Sequence, residues 1–275
     1  SPGDANRSEN LRLATERTSD ILLMPGQEFS YNNYTGERTK ENGYKDAHVI
    51  SGGEVTFGTG GGVCQVSSTI FNSVLYAGLD IVTRINHSIP STYVGLGRDA
   101  TVNDSGIDFV FKNNYENPVF IKNDYNNGKI TCQIFGVESD KKDIEISTTV
   151  NATIEYSTIK QVDTNISEGA TKALESGRKG YSVTTYRIFY DKDGNEIKKE
   201  TVCQSHYPSK NAVIAVGSNK SNSNNNSNNQ NPSENNPGQG ENNNNGESSD
   251  KNNSETPTPG DTTPPASGEV QTPQI

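Results

Sequence analysis

The sequence predicts an α+β domain with a mostly antiparallel sheet and two helices, followed by an elongated all-β module and a disordered C-terminal tail. Two segments carry apolar residues at helical spacing, and short alternating runs of apolar and polar residues follow them, separated by turn residues. The end of the 275-residue chain is nearly free of apolar side chains. We place the first domain at residues 8–137, the β module at residues 143–217 and the tail at residues 218–275.

Composition supports this division and narrows the classes of partner. Only 29% of the residues are hydrophobic, and the deficit is concentrated in the tail, where Asn, Ser, Gly, Pro, Thr and Glu dominate. Such a tract buries too little apolar surface to offset the entropy lost on ordering, so we expect it to be disordered. The net charge of −10 and the lack of a Lys/Arg cluster argue against a nucleic-acid or anionic-membrane partner. No run of the sequence is long and apolar enough for a transmembrane helix.

The first helix is predicted from about Glu9 to Ser19, with Ser8 as its N-cap. A stretch rich in glycine, asparagine and aromatic residues follows and predicts loop with short strands. The segment KDAHVISGGEVTFG then predicts a β-hairpin that turns at Gly52 and Gly53. Near-helical spacing in the first segment comes from Leu11, Leu13, Ala14 and Ile21.

The second helix begins within GTGGGVCQVSST and is predicted to run for about four turns, with Gly78 as its natural stop. Cys64 lies in its first turn. On a helical wheel it falls at the edge of the apolar arc, beside Phe71 and Leu75, so we expect a half-buried side chain. The arc consists of Val63, Val66, Ile70, Phe71, Val74 and Leu75.

Short β-like runs complete the first domain, and longer ones make up the second. The runs are DIVTRINHS, STYVGLGRDATV, IDFVFKN, PVFIKNDY and KITCQIFG, with an Asn-Gly hairpin turn before the last. From about residue 143 the alternating runs are longer and include an Asp-Gly hairpin. We interpret this region as a β module separate from the first domain.

One of the three cysteines stands in a chemically special position. Cys64, Cys132 and Cys203 are too widely spaced for a disulfide framework or a zinc site. A helix N-terminus stabilises a thiolate, and preceding glycines let backbone amides approach a substrate and its developing oxyanion. GGGVC therefore predicts a nucleophile at Cys64. The alternative is a cysteine that merely packs at the start of a helix, since buried free cysteines are common.

A nucleophilic cysteine needs a base, and the chain has three histidines. His206 is expected at the surface of the second module, and His48 lies in a strand where it could face either way. His87 ends the strand that leaves the cysteine helix, so we predict it as the base, the alternative being an exposed or capping histidine. Asp99 is a candidate to orient it, and Arg98 a candidate to bind a substrate carboxylate. The histidines lack metal-ligand spacing, so no metal or other cofactor is predicted.

Several of these motifs occur in the order of a known family. The segments PGQEFSYNNYTGERTKENGYKDAHVI, GGGVCQVSSTIFNSVLYAGLDIV, RINHS, YVGLGRDATV and DFVFKNNYENPVFIK resemble the VanW domain of bacterial envelope proteins, named from glycopeptide-resistance gene clusters. The resemblance runs from about Asn10 to Gly136. The second module resembles a G5 domain through its closing NAVIAVG and five glycines, Gly169, Gly177, Gly180, Gly194 and Gly217.

The VanW resemblance implies a peptidoglycan context. Some members are held to act as L,D-transpeptidases that join stem peptides through a cysteine acyl-enzyme. On that analogy Cys64 attacks the carbonyl of the third stem residue and releases the terminal D-residue, with His87 as base. A side-chain amine of a second stem then resolves the thioester into a 3→3 cross-link. The G5 resemblance implies binding to glycans that contain N-acetylglucosamine, or a spacer role.

The analogy also implies roles for neighbouring residues. Backbone amides of the glycine-rich turn are expected to hold the oxyanion, and further side chains are expected to contact the substrate. The oxyanion candidates are Gly61, Gly62, Val63 and Gln65, and the substrate-binding candidates are Arg98, Ser88 and Tyr93.

Two other functions stay open. One is a non-enzymatic peptidoglycan-binding envelope protein associated with glycopeptide resistance, in which GGGVC is a folding feature. The other is a cysteine carboxypeptidase or amidase that acts on stem peptides with water as the acceptor. In each case we expect a monomer at the wall of a Gram-positive envelope, outside the cell, with stem peptides and glycan strands as partners. Because the sequence begins at Ser1 rather than Met, we expect any anchor or export signal upstream of it.

Overall fold

The computed structural model describes residues 4–219, so the predicted tail lies outside the described residues except for its first two positions. Within this range the chain forms three α-helices and small, mostly antiparallel sheets, which confirms the predicted α+β class and corrects the number of helices from two to three. The helices are α1 (Ala5–Arg17), α2 (Tyr31–Thr35) and α3 (Val63–Ala77), and a single 3-10 turn spans Glu138–Asp140.

Helix α1 begins four residues earlier than predicted because Asp4, not Ser8, is its N-cap. The Asp4 carboxylate accepts a hydrogen bond from the backbone N–H of Arg7 at 2.9 Å. Leu11 and Ala14, on the predicted apolar face, are fully buried.

Helix α2 replaces part of the stretch predicted as loop. It spans only five residues, too few to produce a periodic apolar pattern. Its start is fixed by Ser30, whose hydroxyl accepts from the N–H of Asn33 at 3.2 Å. Tyr31 is fully buried, and its hydroxyl donates to the carbonyl of Val63 at 2.9 Å, which ties α2 to the first residue of α3.

Three small sheets surround α3. One has the order β1–β7–β8, the second has the order β2–β6–β5, and the third is the hairpin β3–β4. The predicted turns are confirmed at Gly52–Gly53 and at Asn127–Gly128, where all four residues have positive φ. The strands are β1 (Ile21–Leu23), β2 (Glu28–Ser30), β3 (Asp46–Ser51), β4 (Glu54–Thr59), β5 (Asp80–Thr83), β6 (Val110–Lys112), β7 (Val119–Asn126) and β8 (Lys129–Phe135).

Helix α3 is the centre of the core. Gly78, with φ 71°, ends it as predicted, and the whole predicted apolar arc is buried. Phe71 packs edge-to-face on Phe109, with ring centroids 5.6 Å apart, which joins α3 to the loop before β6. The arc, Val63, Val66, Ile70, Phe71, Val74 and Leu75, belongs to one continuous cluster with the sheets.

Residues 91–102, predicted as β-like, form no strand. They make a series of bends that cover the first turns of α3. Gly97 adopts φ 77° in this loop, a conformation outside the extended region that a strand needs. His87 likewise lies in a loop, four residues after the end of β5 rather than at a strand end.

The second region consists of six strands in two sheets. One sheet has the order β9–β12–β13 and is antiparallel, and the other has the order β10–β14–β11, with β10 and β14 parallel. The Asp-Gly hairpin is confirmed between β12 and β13. The strands are β9 (Asp143–Ile154), β10 (Thr158–Ser167), β11 (Thr171–Glu175), β12 (Gly180–Tyr190), β13 (Glu196–Tyr207) and β14 (Ala212–Asn219).

The β module packs closely against the first domain. The described residues belong to one compact unit. The buried guanidinium of Arg187 on β12 donates to the carbonyl of Leu79 at 3.0 and 3.1 Å. Thr185 on the same strand donates to the carbonyl of Gly97 at 2.9 Å. Because these contacts are polar, the apolar pattern of β12 gave no sign of them.

Among residues 4–219, no helix combines the length and the apolar character needed to cross a bilayer.

Candidate functional site

The glycines before α3 press the start of the helix against the β3–β4 hairpin. A Cβ on Gly61 would lie 2.6 Å from the carbonyl oxygen of His48, so only glycine allows this approach. Gly62 has φ 111° as the residue that precedes the helix. Asn10 of α1 donates to the carbonyl of Gly61 at 3.0 Å. The close packing of Gly61 against strand β3 therefore explains why glycine occupies this position.

Cys64 is half-buried, as predicted, and lies at a pocket of about 710 Å³. The pocket is open between the start of α3, the β3–β4 hairpin and the loops after β5. Its lining includes predicted site residues and, unexpectedly, each of the three histidines: His48, Cys64, His87, Ser88, Tyr93 and His206. Within residues 4–219, no group of three or more His, Cys, Asp and Glu side chains is arranged to hold a metal ion.

His87 is held by a buried carboxylate. Its Nδ1 lies 2.6 Å from Oδ2 of Asp99, and its backbone N–H donates to the same oxygen at 2.7 Å. The side chains are 3% and 1% exposed. The other ring nitrogen, Nε2, lies 3.3 Å from the hydroxyl of Tyr93. The structure therefore brings together the predicted base, its predicted orienting group and one predicted substrate contact.

His87 is protonated at neutral pH in this arrangement. Burial lowers its pKa, but the hydrogen bond to Asp99 and the proximity of Cys64 and Asp99 outweigh burial and raise the pKa to about 9. The pKa of Asp99 is shifted in the opposite direction. Burial opposes its ionisation, but His87 and Arg84 keep its pKa below the ordinary value, so the carboxylate is charged.

Two residues that the sequence did not single out hold Asp99. Arg84 donates from Nη2 to Oδ1 of Asp99 at 3.0 Å and from Nε to its carbonyl oxygen at 2.6 Å. The hydroxyl of Tyr207, on β13 of the second region, donates to the same Oδ1 at 2.5 Å. Arg84 stands two residues before the Asn-His-Ser motif and carries no distinctive signal. Tyr207 is 108 positions away from Asp99, and no local pattern links them.

Two serines of α3 lock the Asp99 loop to the cysteine helix. Ser67 donates to the carbonyl of Ala100 at 2.7 Å, and the hydroxyl of Ser68 accepts from the N–H of Ala100 at 2.9 Å. Ser68 also donates to the carbonyl of Cys64 at 2.7 Å. Both serines are fully buried. They fix the separation between the thiol and the Asp99–His87 pair.

The predicted oxyanion donors are not all free. The amide of Val63 donates to the carbonyl of Gly60 at 3.2 Å, and the amide of Gln65 donates to the carbonyl of Gly62 at 2.8 Å. Gly61 is packed against β3 and does not line the pocket, whereas Gly62 does.

The remaining donors beside the thiol belong to the same turn of α3. The amide of Cys64 belongs to the helix start, where backbone N–H groups lack intrahelical partners. The side chain of Gln65 lines the pocket, with its oxygen held by Arg7 at 2.9 Å.

Arg98 is not brought to the pocket. Its Nε donates to the side-chain oxygen of Asn72 at 2.6 Å, and its guanidinium lies 5.4 Å from the ring centroid of Tyr76, on the other side of the loop from Asp99. The arginines that do line the pocket are Arg7 and Arg38, neither of which the sequence singled out. Arg38 is paired with Asp104 at 2.7 Å.

Comparisons with known proteins match both regions. Residues 6–135 match the family model described as "VanW like protein", and residues 145–219 match the model of the G5 domain. The chain is 46% identical over 117 residues to YoaR of Bacillus subtilis, which covers 42% of this chain and 39% of YoaR. It is 30% identical over 156 residues to the vancomycin B-type resistance protein VanW of Enterococcus faecalis, covering 55% of this chain and 56% of that protein.

The matched regions thus span between two fifths and just over half the length of these curated relatives. Among solved structures, the chain is similar to the IgA1 protease G5 domain, with 21% identity, 29% of this chain and 95% of that chain covered, and a TM-score of 0.22.

Proposed function

Because residues 6–135 form a VanW domain and residues 145–219 a G5 domain, we propose that the chain is a cysteine-dependent L,D-transpeptidase of the bacterial cell wall. The observation that carries the proposal is the arrangement around Cys64. A cysteine in the first turn of a helix shares a pocket with a histidine whose second nitrogen is bound by a buried, charged aspartate. This is the set of groups that cysteine acyl transfer requires.

The first step forms the acyl-enzyme. The sulfur of Cys64, as the thiolate, attacks the carbonyl carbon of the third stem residue and forms a thioester. The bond from that carbon to the nitrogen of the terminal D-residue breaks, and the leaving amine takes a proton from Nε2 of His87. Because the pKa of His87 is about 9, the imidazolium that this step consumes is present at neutral pH.

The second step returns the enzyme to its starting state. A side-chain amine of a second stem attacks the thioester, loses a proton to Nε2 of His87, and forms the 3→3 amide as the thiolate leaves. Asp99 keeps the proton of Nδ1 in place throughout, so that Nε2 is the nitrogen that exchanges protons. The amide of Cys64 and the side-chain amide of Gln65 are the proposed oxyanion donors.

A charged side chain at the pocket is proposed to bind the substrate. Arg7 is half-buried at the pocket and beside Gln65, so it replaces Arg98 as our candidate to bind a stem carboxylate. Tyr93 and Ser88 line the same pocket and keep their proposed roles as substrate contacts. The G5 domain is proposed to bind glycan strands. A location at the wall, outside the cell, follows from this proposed function.

The test is incubation of the purified chain with disaccharide-tetrapeptide, followed by mass spectrometry. We expect a 3→3 cross-linked dimer that is lost in Cys64→Ala and retained in the matched control Cys132→Ala, because Cys132 lies outside this pocket. A dimer that still forms with Cys64→Ala would overturn the proposal. Tripeptide alone, without dimer, would favour the carboxypeptidase. No product, with binding to purified sacculi retained, would favour the non-enzymatic wall-binding protein.

A further inference from the structure

The end of strand β13 lies against the loops that carry His87 and Asp99. Ser205 and Tyr207 point toward the first domain and are 2% and 1% exposed, whereas His206 between them is exposed at the rim of the pocket. The backbone is tied here as well. The side-chain amide of Asn86, the residue before His87, donates to the carbonyl of His206 at 2.8 Å. The second domain therefore reaches the site through named contacts and not only through general packing.

The hydroxyl of Tyr207 is fully used by these contacts. It donates to Oδ1 of Asp99 at 2.5 Å and accepts from the backbone N–H of Gly97 at 2.9 Å. Burial and the nearby charge of Asp99 raise the pKa of Tyr207, so the hydroxyl keeps its proton and remains a donor. Oδ1 is thus occupied by Tyr207 and Arg84, which leaves Oδ2 to His87.

Ser205 supports the same carboxylate through Arg84. Its hydroxyl accepts from Nη1 of Arg84 at 2.7 Å, while Nη2 and Nε of Arg84 donate to Asp99. The guanidinium also lies 5.2 Å from the ring centroid of Phe71 on α3. The orientation of Arg84 is therefore set jointly by the two domains.

We infer that the second domain completes the catalytic site of the first, with Tyr207 and Ser205 as positioning residues that hold Asp99 in the orientation in which it binds His87. This inference rests on the proposed function and deepens it, since it assigns the G5 domain a part in the chemistry beyond glycan binding. The first domain by itself has a carboxylate whose Oδ1 lacks one of its two side-chain partners.

The inference predicts a direction of change at His87. The charged and titratable groups that face the His87–Asp99 pair are Cys64 from α3, Arg84 and Tyr93 from the loops, and Tyr207 from β13. If Tyr207 positions Asp99, its loss lets the carboxylate turn away from His87, and the pKa of His87 falls. If Tyr207 only withdraws charge from a fixed carboxylate, its loss makes Asp99 a stronger partner and the pKa of His87 rises.

The experiment uses the full chain with Tyr207→Phe, Ser205→Ala and the control Tyr190→Phe. The control removes another tyrosine–carboxylate hydrogen bond of the same sheet, from Tyr190 to Glu145 at 2.8 Å on the exposed surface. NMR titration of the His87 imidazole and the rate of Cys64 alkylation, followed by peptide mass spectrometry, need no wall substrate. Thermal unfolding verifies that each variant is folded.

For Tyr207→Phe we expect a lower pKa of His87, slower alkylation of Cys64 at neutral pH, and a kcat reduced about tenfold or more with KM little changed. Ser205→Ala should give a smaller change of the same sign, and Tyr190→Phe none. A folded Tyr207→Phe protein with an unchanged or raised pKa of His87 overturns the inference, even if the wild type cross-links. A lowered pKa supports it, even if no cross-linked product forms and the proposed function fails.

Discussion

The two sheets of the G5 domain have different surroundings. In β12, six of the eleven residues are buried, and several contact the VanW domain. In β11, all five residues are exposed, and on β10 the side chain of Val162 is 76% exposed. One sheet is thus packed against the rest of the chain, while strands β10 and β11 of the other are largely exposed. A domain that matches a single family model thus has one sheet packed against the rest of the chain and one with two largely exposed strands.

The largest effect is expected at Asp99, a residue of the first domain that accepts a hydrogen bond from Tyr207 of the packed sheet. Asp99→Asn removes the charge that His87, Arg84 and Tyr207 share, so we expect kcat to fall by roughly a hundredfold to ten-thousandfold. Cross-linking of disaccharide-tetrapeptide by the variant measures this. The control is Asp20→Asn, which breaks an exposed pair with Lys122 and should leave the rate unchanged. Equal rates for the Asp99 and Asp20 variants would contradict the assigned role.

The next effect concerns how firmly the sheet β9–β12–β13 is attached to the first domain. Arg187→Ala removes the two hydrogen bonds to the carbonyl of Leu79, and we expect a loss of roughly 2–3 kcal/mol in the free energy of unfolding. Urea denaturation measures it. The control Arg12→Ala breaks only exposed ion pairs on α1 and should cost less than about 1 kcal/mol. Similar losses in both variants would mean that β12 is not firmly attached.

A third effect is a pH dependence of stability. The pKa of His87 is about 9 in the folded chain and about 6.5 when unfolded, so its contribution is fully present below pH about 6.5 and is lost as the pH rises through about 9. We expect a decline on the order of 3 kcal/mol across this window, absent in His87→Gln. Denaturation at pH 6 and at pH 9.5 measures it. A parallel decline in both proteins would assign the dependence to other groups.

The smallest effect on stability is expected on the exposed strand β10 of the other sheet. Val162→Ser should change the free energy of unfolding by no more than about 0.5 kcal/mol and leave cross-linking of the soluble substrate intact. Val183→Ser, at a fully buried position of β12, is the matched control and should be strongly destabilising. If Val162→Ser destabilised the fold as much, the contrast between the two sheets would be wrong.

Elements with a repeating local pattern were predictable from sequence. The apolar arc of α3 placed Cys64 at a half-buried position in its first turn, and Gly78 marked the end of the helix. Hairpin turns with Asn-Gly and Gly-Gly pairs were equally predictable. Helix α2 was missed because five residues are too few for a period, and α1 began earlier because Asp4 was available as a cap.

The site was predictable from sequence only in part, and a shared motif was not enough. Arg98 and Asp99 are neighbours in sequence, yet their side chains lie on different sides of the loop, one on Tyr76 and the other on His87. No periodicity applies in an irregular loop, so adjacency alone does not say which of them faces the pocket. Arg7 and Tyr207 come from distant elements, and only the packing of α1 and β13 brings them there.

The hydrogen bond from Tyr207 to Asp99 also has a consequence for the order in which the protein matures. Synthesis runs from the N-terminus, so Cys64, His87 and Asp99 leave the ribosome well before Tyr207, which follows Asp99 by 108 positions. An unfinished chain therefore lacks the hydrogen bond from Tyr207 to the Asp99 carboxylate. On the proposed mechanism, full reactivity of Cys64 requires β13 to pack onto the first domain, so activation of the nucleophile depends on completion of the fold.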